Sequence, residues 1–129
     1  MKALIVDDCE MTRELLSLPV MGHAVVHMAE DGEEAVAKVK QALEKEEPYS
    51  LICLDINMPK MSGHDALRSI RQLEADSGTE RAKVFMITSS SSPDDMVEAL
   101  MSGECDDYLT KPVMTNTFKE LLRKHDLIP

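Results

Sequence analysis

The stretch LICLDINMPKMSG, residues 51–63, decides the fold of this chain. It opens with an apolar run of strand length and passes at Asp55 into a polar turn. A continuous apolar run of this kind is typical of a strand covered on both faces, as in a parallel sheet. Ser62 followed three residues later by Asp65 is a helix start signal. The stretch therefore predicts a buried strand, a polar turn and a helix.

The same alternation of strand and helix runs through the whole chain. Further apolar runs of strand length lie at residues 3–6, 24–28, 84–87 and 108–109. Segments with helical periodicity follow the strands, carried by Met11, Leu15, Leu18; Val36, Val39, Leu43; Leu67, Ile70; Val97, Leu100, Met101; and Phe118, Leu121, Leu122. Five such repeats predict a flavodoxin-like, doubly wound α/β fold: a three-layer (βα)5 sandwich around a parallel five-stranded sheet in the order 2-1-3-4-5.

Local signals predict where several helices begin and end. Asp31 and Ser92 are expected to cap the second and fourth helices, and Pro19 should end the first helix early. The charged stretches at residues 44–47 and 74–83 are interpreted as solvated helix ends and connections.

Length and composition indicate a single domain over residues 1–129, with no output domain. Hydrophobic residues make up 43% and charged residues 29%, which is ordinary globular usage and excludes intrinsic disorder. The formal net charge of -10 argues against direct binding of nucleic acid, which attracts basic surfaces. No apolar run is long enough for a signal peptide or a membrane span, so we expect a cytoplasmic protein.

Cysteine and histidine give no sign of a metal site or a disulfide framework. The cysteines are odd in number and widely spaced, and the histidines lack metal-ligand spacing. We interpret them as core, loop or surface residues in a reducing compartment: Cys9, Cys53, Cys105, His23, His27, His64 and His125.

Polar residues follow the predicted strands where ligands bind in this architecture, outside the carboxyl ends. They are Asp7 and Asp8 after the first strand, Asp55 after the third, Thr88 after the fourth and Lys111 after the fifth. Because the first and third strands are neighbours, their carboxylates should share one pocket and repel by roughly a few kcal/mol per pair. A hard divalent cation such as Mg²⁺ would offset this repulsion. The alternative is that the two adjacent acids are merely solvated or cap the first helix.

Four strings resemble the receiver domain of two-component response regulators. They are LIVDDCEM at residues 4–11, the stretch at residues 51–63, VFMIT at residues 84–88 and DDYLTKPV at residues 106–113. The resemblance covers essentially the whole chain, in order and at compatible spacing. It implies a stand-alone receiver, similar in organisation to the chemotaxis response regulator, that takes part in phosphorelay signal transduction.

The resemblance implies a phosphoryl acceptor and a magnesium site. Asp55 would be the nucleophile that becomes an acyl phosphate. Asp8 and Asp55 would supply side-chain oxygens to Mg²⁺, Asn57 would supply its backbone carbonyl, and Asp7 would act directly or through water. Lys111 would pair with the phosphoryl group as a point charge. The protein would promote its own phosphorylation and dephosphorylation rather than act as an enzyme on other molecules.

The resemblance also implies a switch. Thr88 would donate its hydroxyl to a phosphoryl oxygen, the loop at residues 89–92 would follow, and Tyr108 would turn inward. The alternative for Tyr108 is an edge-strand aromatic with a solvated hydroxyl. The output surface is expected on the fourth helix, the fifth strand and the last helix. The bond between Lys111 and Pro112 is expected to be cis.

A sensor histidine kinase or a histidine phosphotransfer protein is implied as the donor, and the downstream protein target stays open. Ser89 departs from the family pattern, where alanine is common, and the serine run at residues 89–92 is unusually polar. Two related alternatives remain: a degenerate, non-phosphorylated receiver that serves as an interaction module, and a Mg²⁺-dependent phosphatase with an aspartate nucleophile. The phosphatase's usual Asp-x-Asp motif is absent at both Asp7 and Asp55. A flavin carrier is disfavoured because the acids after the first strand would repel its phosphate.

Overall fold

The computed structural model describes residues 1–89 and 104–129. Within these residues the strands are β1 (Lys2–Val6), β2 (Val25–Ala29), β3 (Leu51–Asp55), β4 (Lys83–Ser89) and β5 (Asp107–Lys111). The helices in the same part of the chain are α1 (Glu10–Ser17), α2 (Gly32–Glu44), α3 (Gly63–Ser77) and the C-terminal helix (Thr115–Lys124). The predicted fourth helix, its cap at Ser92 and most of the serine run lie outside the described residues.

The strands form one parallel sheet in the order β2-β1-β3-β4-β5, which confirms the predicted doubly wound topology. Val6 at the end of β1 lies level with Leu54 of β3, so the residues that follow the two strands emerge side by side. Thr88 of β4 is paired with Thr110 of β5, one residue before Lys111. The register therefore brings the polar ends of four strands to one edge of the sheet.

Alternating strand residues feed two cores, one on each face of the sheet. Leu4 of β1 packs in the core covered by α2 and α3. Ile5, the next residue, packs in the core on the opposite face, which is filled by Leu16 of α1 and by Phe118 of the C-terminal helix. Burial on both faces explains the continuous apolar runs of the inner strands and confirms the three-layer sandwich.

Edge strand β2 departs from the prediction that its run is covered on both faces. Its first residue, Val25, is exposed, and only Ala29 at its end is fully buried. The strand lies at the edge of the sheet. Fewer helix residues reach an edge strand, so the apolar run at residues 24–28 overstates its burial.

The apolar stripe that gives α1 its helical periodicity faces solvent instead of the core. Met11, Leu15 and Leu18 are exposed, Met11 by 78%. The helix instead turns Leu16 towards the sheet, together with the side chain of Arg13. Arg13 donates to the backbone oxygen of Asp7, just after β1, at 2.7 Å. With Arg13 and Leu16 facing the sheet, the apolar stripe on the other side of the helix lies in solvent.

Two capping predictions and the early end of α1 are confirmed. Asp31 accepts the backbone N–H of Glu34, and Ser62 accepts that of Asp65. The last residue of α1 is Ser17, two residues before Pro19. The predicted cis bond between Lys111 and Pro112 is present. None of the helices in the two described ranges combines the length and apolar character needed to span a membrane.

The charged stretch at residues 74–83 is not wholly solvated, as the sequence suggested. Glu74 is buried and accepts hydrogen bonds from Arg71, at 2.7 Å, and from the backbone N–H of Ala82, at 2.7 Å. Arg71 also donates to the backbone oxygens of Ala82 and Glu104 and to the carboxylate of Asp106. This buried network joins α3 to the beginnings of β4 and β5. It therefore lies at the opposite edge of the sheet from the polar carboxyl ends of the strands.

Gly63 allows α3 to start directly against the end of β3. A Cβ atom at this position would collide with the backbone oxygen of Asp55 and would lie 2.7 Å from the Cα atom of Ile56. The N–H of Gly63 donates to the backbone oxygen of Ile56 at 2.8 Å. The absence of a side chain therefore sets the tight turn that carries Asp55.

We expect Gly63→Ala to lower the free energy of unfolding by about 1–3 kcal/mol, because the methyl group would push against rigid backbone atoms. Chemical denaturation measures the loss. The matched control is Gly22→Ala, where nothing lies within 4 Å of the added Cβ. There the change should be neutral or stabilising by up to about 1 kcal/mol. Equal effects of the two substitutions would contradict the close approach at Gly63.

Candidate functional site

Three carboxylates meet at the carboxyl edge of the sheet. Asp7 follows β1, Asp8 is the next residue and Asp55 ends β3. One oxygen from each lies within 4.8 Å of the others. Asp7 and Asp55 are buried, whereas Asp8 is exposed at the mouth of the cluster. The predicted acidic pocket is therefore formed by these residues.

Asp7 is held at several of its polar atoms. Its backbone N–H donates to the oxygen of Ala29 at 3.1 Å, and its Oδ1 accepts the backbone N–H of Cys9 at 2.9 Å. Its Oδ2 is buried and makes no hydrogen bond of good geometry with a described residue, although the ammonium of Lys111 lies 3.1 Å away. Among the described residues, the ion pair with Lys111 is therefore the one polar contact of this buried oxygen.

Lys111 supplies the positive charge between the two buried carboxylates. Its Nζ lies 3.1 Å from Oδ2 of Asp7 and 3.2 Å from Oδ2 of Asp55. Burial lowers the pKa of Lys111, but the close carboxylates of Asp7 and Asp55 outweigh this effect, so the pKa is raised. The ammonium stays charged, and the side chain of Lys111 is 30% exposed, which leaves it within reach of an anion entering from solvent.

The carboxyl group of Asp55 is less acidic than an ordinary aspartate. Burial raises its pKa most, and the neighbouring charge of Asp7 adds to the rise. Lys111 and the backbone N–H of Asn57, which donates to Oδ1 at 3.3 Å, act in the opposite direction without cancelling it. The charged form of Asp55 is therefore less stable in the folded protein than in water, and a further cation in the pocket would stabilise it.

The donor set fits a hard divalent cation. Carboxylate oxygens are the ligands that Mg²⁺ prefers, and it normally takes one or two of them and keeps several waters. The buried Oδ2 of Asp7, which lacks a good hydrogen bond, and the exposed Asp8 provide an inner and an outer ligand position.

The other residues implied by the resemblance differ in burial and in the contacts of their side chains. Thr88 is buried on β4, but its hydroxyl donates to the backbone oxygen of Ser89 at 2.9 Å and not to a carboxylate. Asn57 is exposed in the turn after β3. Tyr108 on β5 is 38% exposed and therefore points outward in this structure. The loop beyond Ser89 lies outside the described residues.

An apolar groove of about 820 Å³ adjoins the pocket. One wall is the exposed stripe of α1, with Met11, Leu15 and Leu18, and the other includes Lys111 and Pro112. The groove therefore leads from a hydrophobic helix face to the ammonium that contacts Asp55. The sequence showed this stripe as helical periodicity, but its period cannot tell an inward face from an outward one.

Arg13 was missed by the sequence reasoning. Its side chain is 11% exposed, and it donates to the backbone oxygen of Asp7 next to the acidic cluster. The available signal was an arginine on the first helix, in a position where the periodic pattern of Met11 and Leu15 implied a solvated face.

Comparisons with known proteins agree on one family. The response regulator receiver domain family matches residues 3–123 of the chain. The chemotaxis protein CheY of Bacillus subtilis is 31% identical, over 95% of this chain and 95% of its own length. Hybrid signal transduction histidine kinase G of Dictyostelium discoideum is 36% identical over 97% of this chain, which spans only 4% of that protein.

A solved structure gives the same result. The receiver domain of the Saccharomyces cerevisiae response regulator Ssk1, crystallised with the histidine phosphotransfer signaling protein Ypd1, is similar with a TM-score of 0.80 and 30% identity. The match covers 96% of this chain and 87% of that one. The chain therefore belongs to the response regulator receiver domain family. Its function is that of a phosphoryl-accepting receiver in two-component signal transduction.

The raised pKa of Asp55 makes the stability of the metal-free protein depend on pH. The charged carboxylate is less favourable in the folded state than in the unfolded state, so we expect Asp55→Asn to increase the free energy of unfolding at neutral pH. The increase should shrink as pH falls through the raised pKa and vanish below the ordinary value of 3.8, where both states bind the proton. Urea unfolding in EDTA at a series of pH values measures it.

Asp65→Asn is the control for this experiment. The hydrogen bond from Arg68 lowers the pKa of Asp65, which is exposed on α3. Here the charged form is favoured in the folded state, so the substitution should not stabilise the protein at neutral pH. A loss of stability in Asp55→Asn at neutral pH would contradict the electrostatic account of the pocket.

Proposed function

We propose that this receiver accepts a phosphoryl group on Asp55 from a histidine kinase or a histidine phosphotransfer protein. The observation that carries the proposal is the position of the Asp55 carboxylate, buried beside Asp7 and contacted by Lys111 at 3.2 Å. A carboxylate can act as a nucleophile. Here the ammonium of Lys111 lies beside it, and carboxylate oxygens of Asp7 and Asp8 lie nearby. The family of the chain and its likeness to the Ssk1 receiver support the same function.

The transfer forms one bond and breaks one bond. A carboxylate oxygen of Asp55 attacks the phosphorus in line, forming a P–O bond, while the P–N bond of the phosphohistidine breaks and its electron pair stays on the imidazole. Lys111 can then pair with a phosphoryl oxygen, because its ammonium is already at the pocket and partly exposed. The product is a mixed anhydride on Asp55. Water can hydrolyse it in the same pocket, which would make the protein promote its own dephosphorylation.

Mg²⁺ is the proposed cofactor. Asp7, Asp8 and Asp55 would hold it with side-chain oxygens, and the backbone oxygen of Asn57 would complete the protein's share. When bound, the ion neutralises the charge that builds up on the phosphoryl oxygens. The chain's own contribution is to keep two carboxylates buried and apart from water until the ion and the phosphoryl group arrive.

The proposed switch starts at Thr88. Its hydroxyl now donates to the oxygen of Ser89, so a bond to a phosphoryl oxygen would require it to leave that partner. β4 pairs Thr88 with Thr110 on β5, two residues after Tyr108. A movement of Thr88 would therefore be transmitted to β5, which carries the exposed Tyr108. The output surface we propose is β5 with the C-terminal helix, whereas the predicted fourth helix lies outside the described residues.

We expect the protein to label itself from acetyl phosphate or phosphoramidate when Mg²⁺ is present, and Asp55→Asn to abolish labelling. EDTA should abolish it as well, because the carboxylates would lose the charge compensation that the reaction needs. Phosphate-affinity electrophoresis or intact mass measures the product. Asp65→Asn, on the exposed surface of α3, is the matched control and should label normally. Full labelling of Asp55→Asn would place the acceptor elsewhere, and no labelling of the folded wild type would favour a non-phosphorylated receiver.

The groove beside α1 is the proposed docking place of the donor. Its exposed stripe of Met11, Leu15 and Leu18 is continuous with the wall that carries Lys111, so a helix lying there could bring a histidine to Asp55. A contiguous apolar patch exposed to solvent is typical of a protein–protein interaction site. Asp55 itself is buried, and the groove reaches Lys111, whose ammonium contacts the Asp55 carboxylate.

We expect Leu15→Asp to slow transfer from a histidine donor about tenfold or more, because the apolar contact would be replaced by a solvated charge. Labelling by acetyl phosphate should stay unchanged, since a small donor needs no docking helix. The donor is a purified histidine phosphotransfer domain chosen because it phosphorylates the wild-type chain. Val25→Asp, on the exposed edge of β2, is the control. Equal slowing by both variants, or no slowing by Leu15→Asp, would exclude α1 as the docking face.

A further inference from the structure

The side chain of Arg13 is a buried cation beside the acidic pocket. It is 11% exposed, and its Nη1 donates to the backbone oxygen of Asp7 at 2.7 Å. Its Nη2 lies 3.7 Å from the carboxylate of Glu30, a side chain that is 71% exposed. The guanidinium therefore has one strong, buried contact and one long contact that faces water.

The contact with Glu30 cannot account for the burial of this charge. Moving a guanidinium out of water is expensive, and an ion pair open to solvent returns little. What remains is the bond to the Asp7 carbonyl and the surplus of negative charge in the nearby cluster of Asp7, Asp8 and Asp55. The acidic pocket thus explains why the cation is tolerated.

The bond also fixes the turn that presents two of the carboxylates. Asp7 lies at the end of β1, Asp8 follows, and α1 begins at Glu10. The backbone oxygen of Asp7 is tied to α1 by Arg13, and its N–H is tied to β2 through Ala29. Because the N–H and the carbonyl of Asp7 are both held, the direction of the chain from Asp7 to Asp8 is restrained.

We propose that Arg13 is a positioning residue for Mg²⁺ binding, a role that rests on the proposed function. It touches no ligand atom of the carboxylates and acts by holding the backbone of the turn from Asp7 to Asp8. Residues that orient metal ligands in this way usually change metal affinity by about 10–100-fold when replaced.

Arg71 offers a matched control within the same chain. It is 10% exposed, and it also donates to backbone oxygens, those of Ala82 and Glu104. Its contacts lie near the beginnings of β4 and β5, at the edge of the sheet opposite the acidic pocket. Replacing either arginine removes a buried guanidinium from a backbone carbonyl. Arg71→Met also leaves the buried Glu74 without its ion pair and is the more disruptive change, yet only Arg13 lies at the proposed metal-binding turn.

The experiment measures Mg²⁺ affinity by calorimetry for the full chain and for Arg13→Met, Arg13→Lys and Arg71→Met, without any phosphodonor. We expect Arg13→Met to weaken Mg²⁺ binding at least about tenfold, and Arg71→Met to change it less than about twofold. Arg13→Lys should recover most of the affinity, because an ammonium can still donate to the Asp7 carbonyl. If Arg13→Met does not fold, Arg13→Gln is compared with Arg71→Gln in its place.

A second readout needs no metal. The backbone N–H of Cys9 donates to Oδ1 of Asp7, so its hydrogen exchange in EDTA reports how firmly the turn is held. It should accelerate in Arg13→Met and not in Arg71→Met at matched global stability. Unchanged Mg²⁺ affinity in Arg13→Met, or equal weakening in both methionine variants, would overturn the proposal. If the wild type itself bound no Mg²⁺, the proposed function would fail, and the exchange of the Cys9 amide would then decide the role of Arg13.

Discussion

The mutual repulsion of carboxylates at one edge of the sheet is the constraint on which the rest of the site depends. Asp7 and Asp55 are both buried there, and burial together with the charge of Asp7 raises the pKa of Asp55. Lys111 is placed between them, at 3.1 and 3.2 Å, and offsets part of this cost. The pocket therefore carries excess negative charge, which a bound cation would offset before an anionic phosphoryl group enters.

Backbone geometry holds the charges in place against this repulsion. Gly63 lets α3 begin against the peptide of Asp55, where a single Cβ atom would collide with the backbone. Asp7 is held through its N–H, its carbonyl and one carboxylate oxygen. Since the main chain carries these restraints, the carboxylates cannot relieve their repulsion by moving apart, and the site stays ready for its ligands.

The fold separates stability from recognition. Two apolar cores on opposite faces of the sheet and the buried network of Arg71 and Glu74 hold the domain together. The hydrophobic stripe of α1 takes almost no part in either core and remains in solvent beside the pocket. These three large apolar side chains add little to the stability of the domain because they remain in solvent. We therefore propose that a protein partner binds to the stripe.

The sequence by itself determined the strand order, the two capped helices and the acidic cluster with its lysine. The strand lengths, the caps Asp31 and Ser62 and the polar residues directly after strands are short-range signals. The strand order follows from the repeated alternation of strand and helix together with the rules of doubly wound sheets. Only the tertiary structure decided which face of α1 is buried, because periodicity defines a stripe but not the direction in which the helix is rotated. The same holds for Arg13, Arg71 and Glu74, whose charges look solvated in the sequence. Their burial depends on carbonyls and carboxylates that come from other elements, and no local pattern contains those partners.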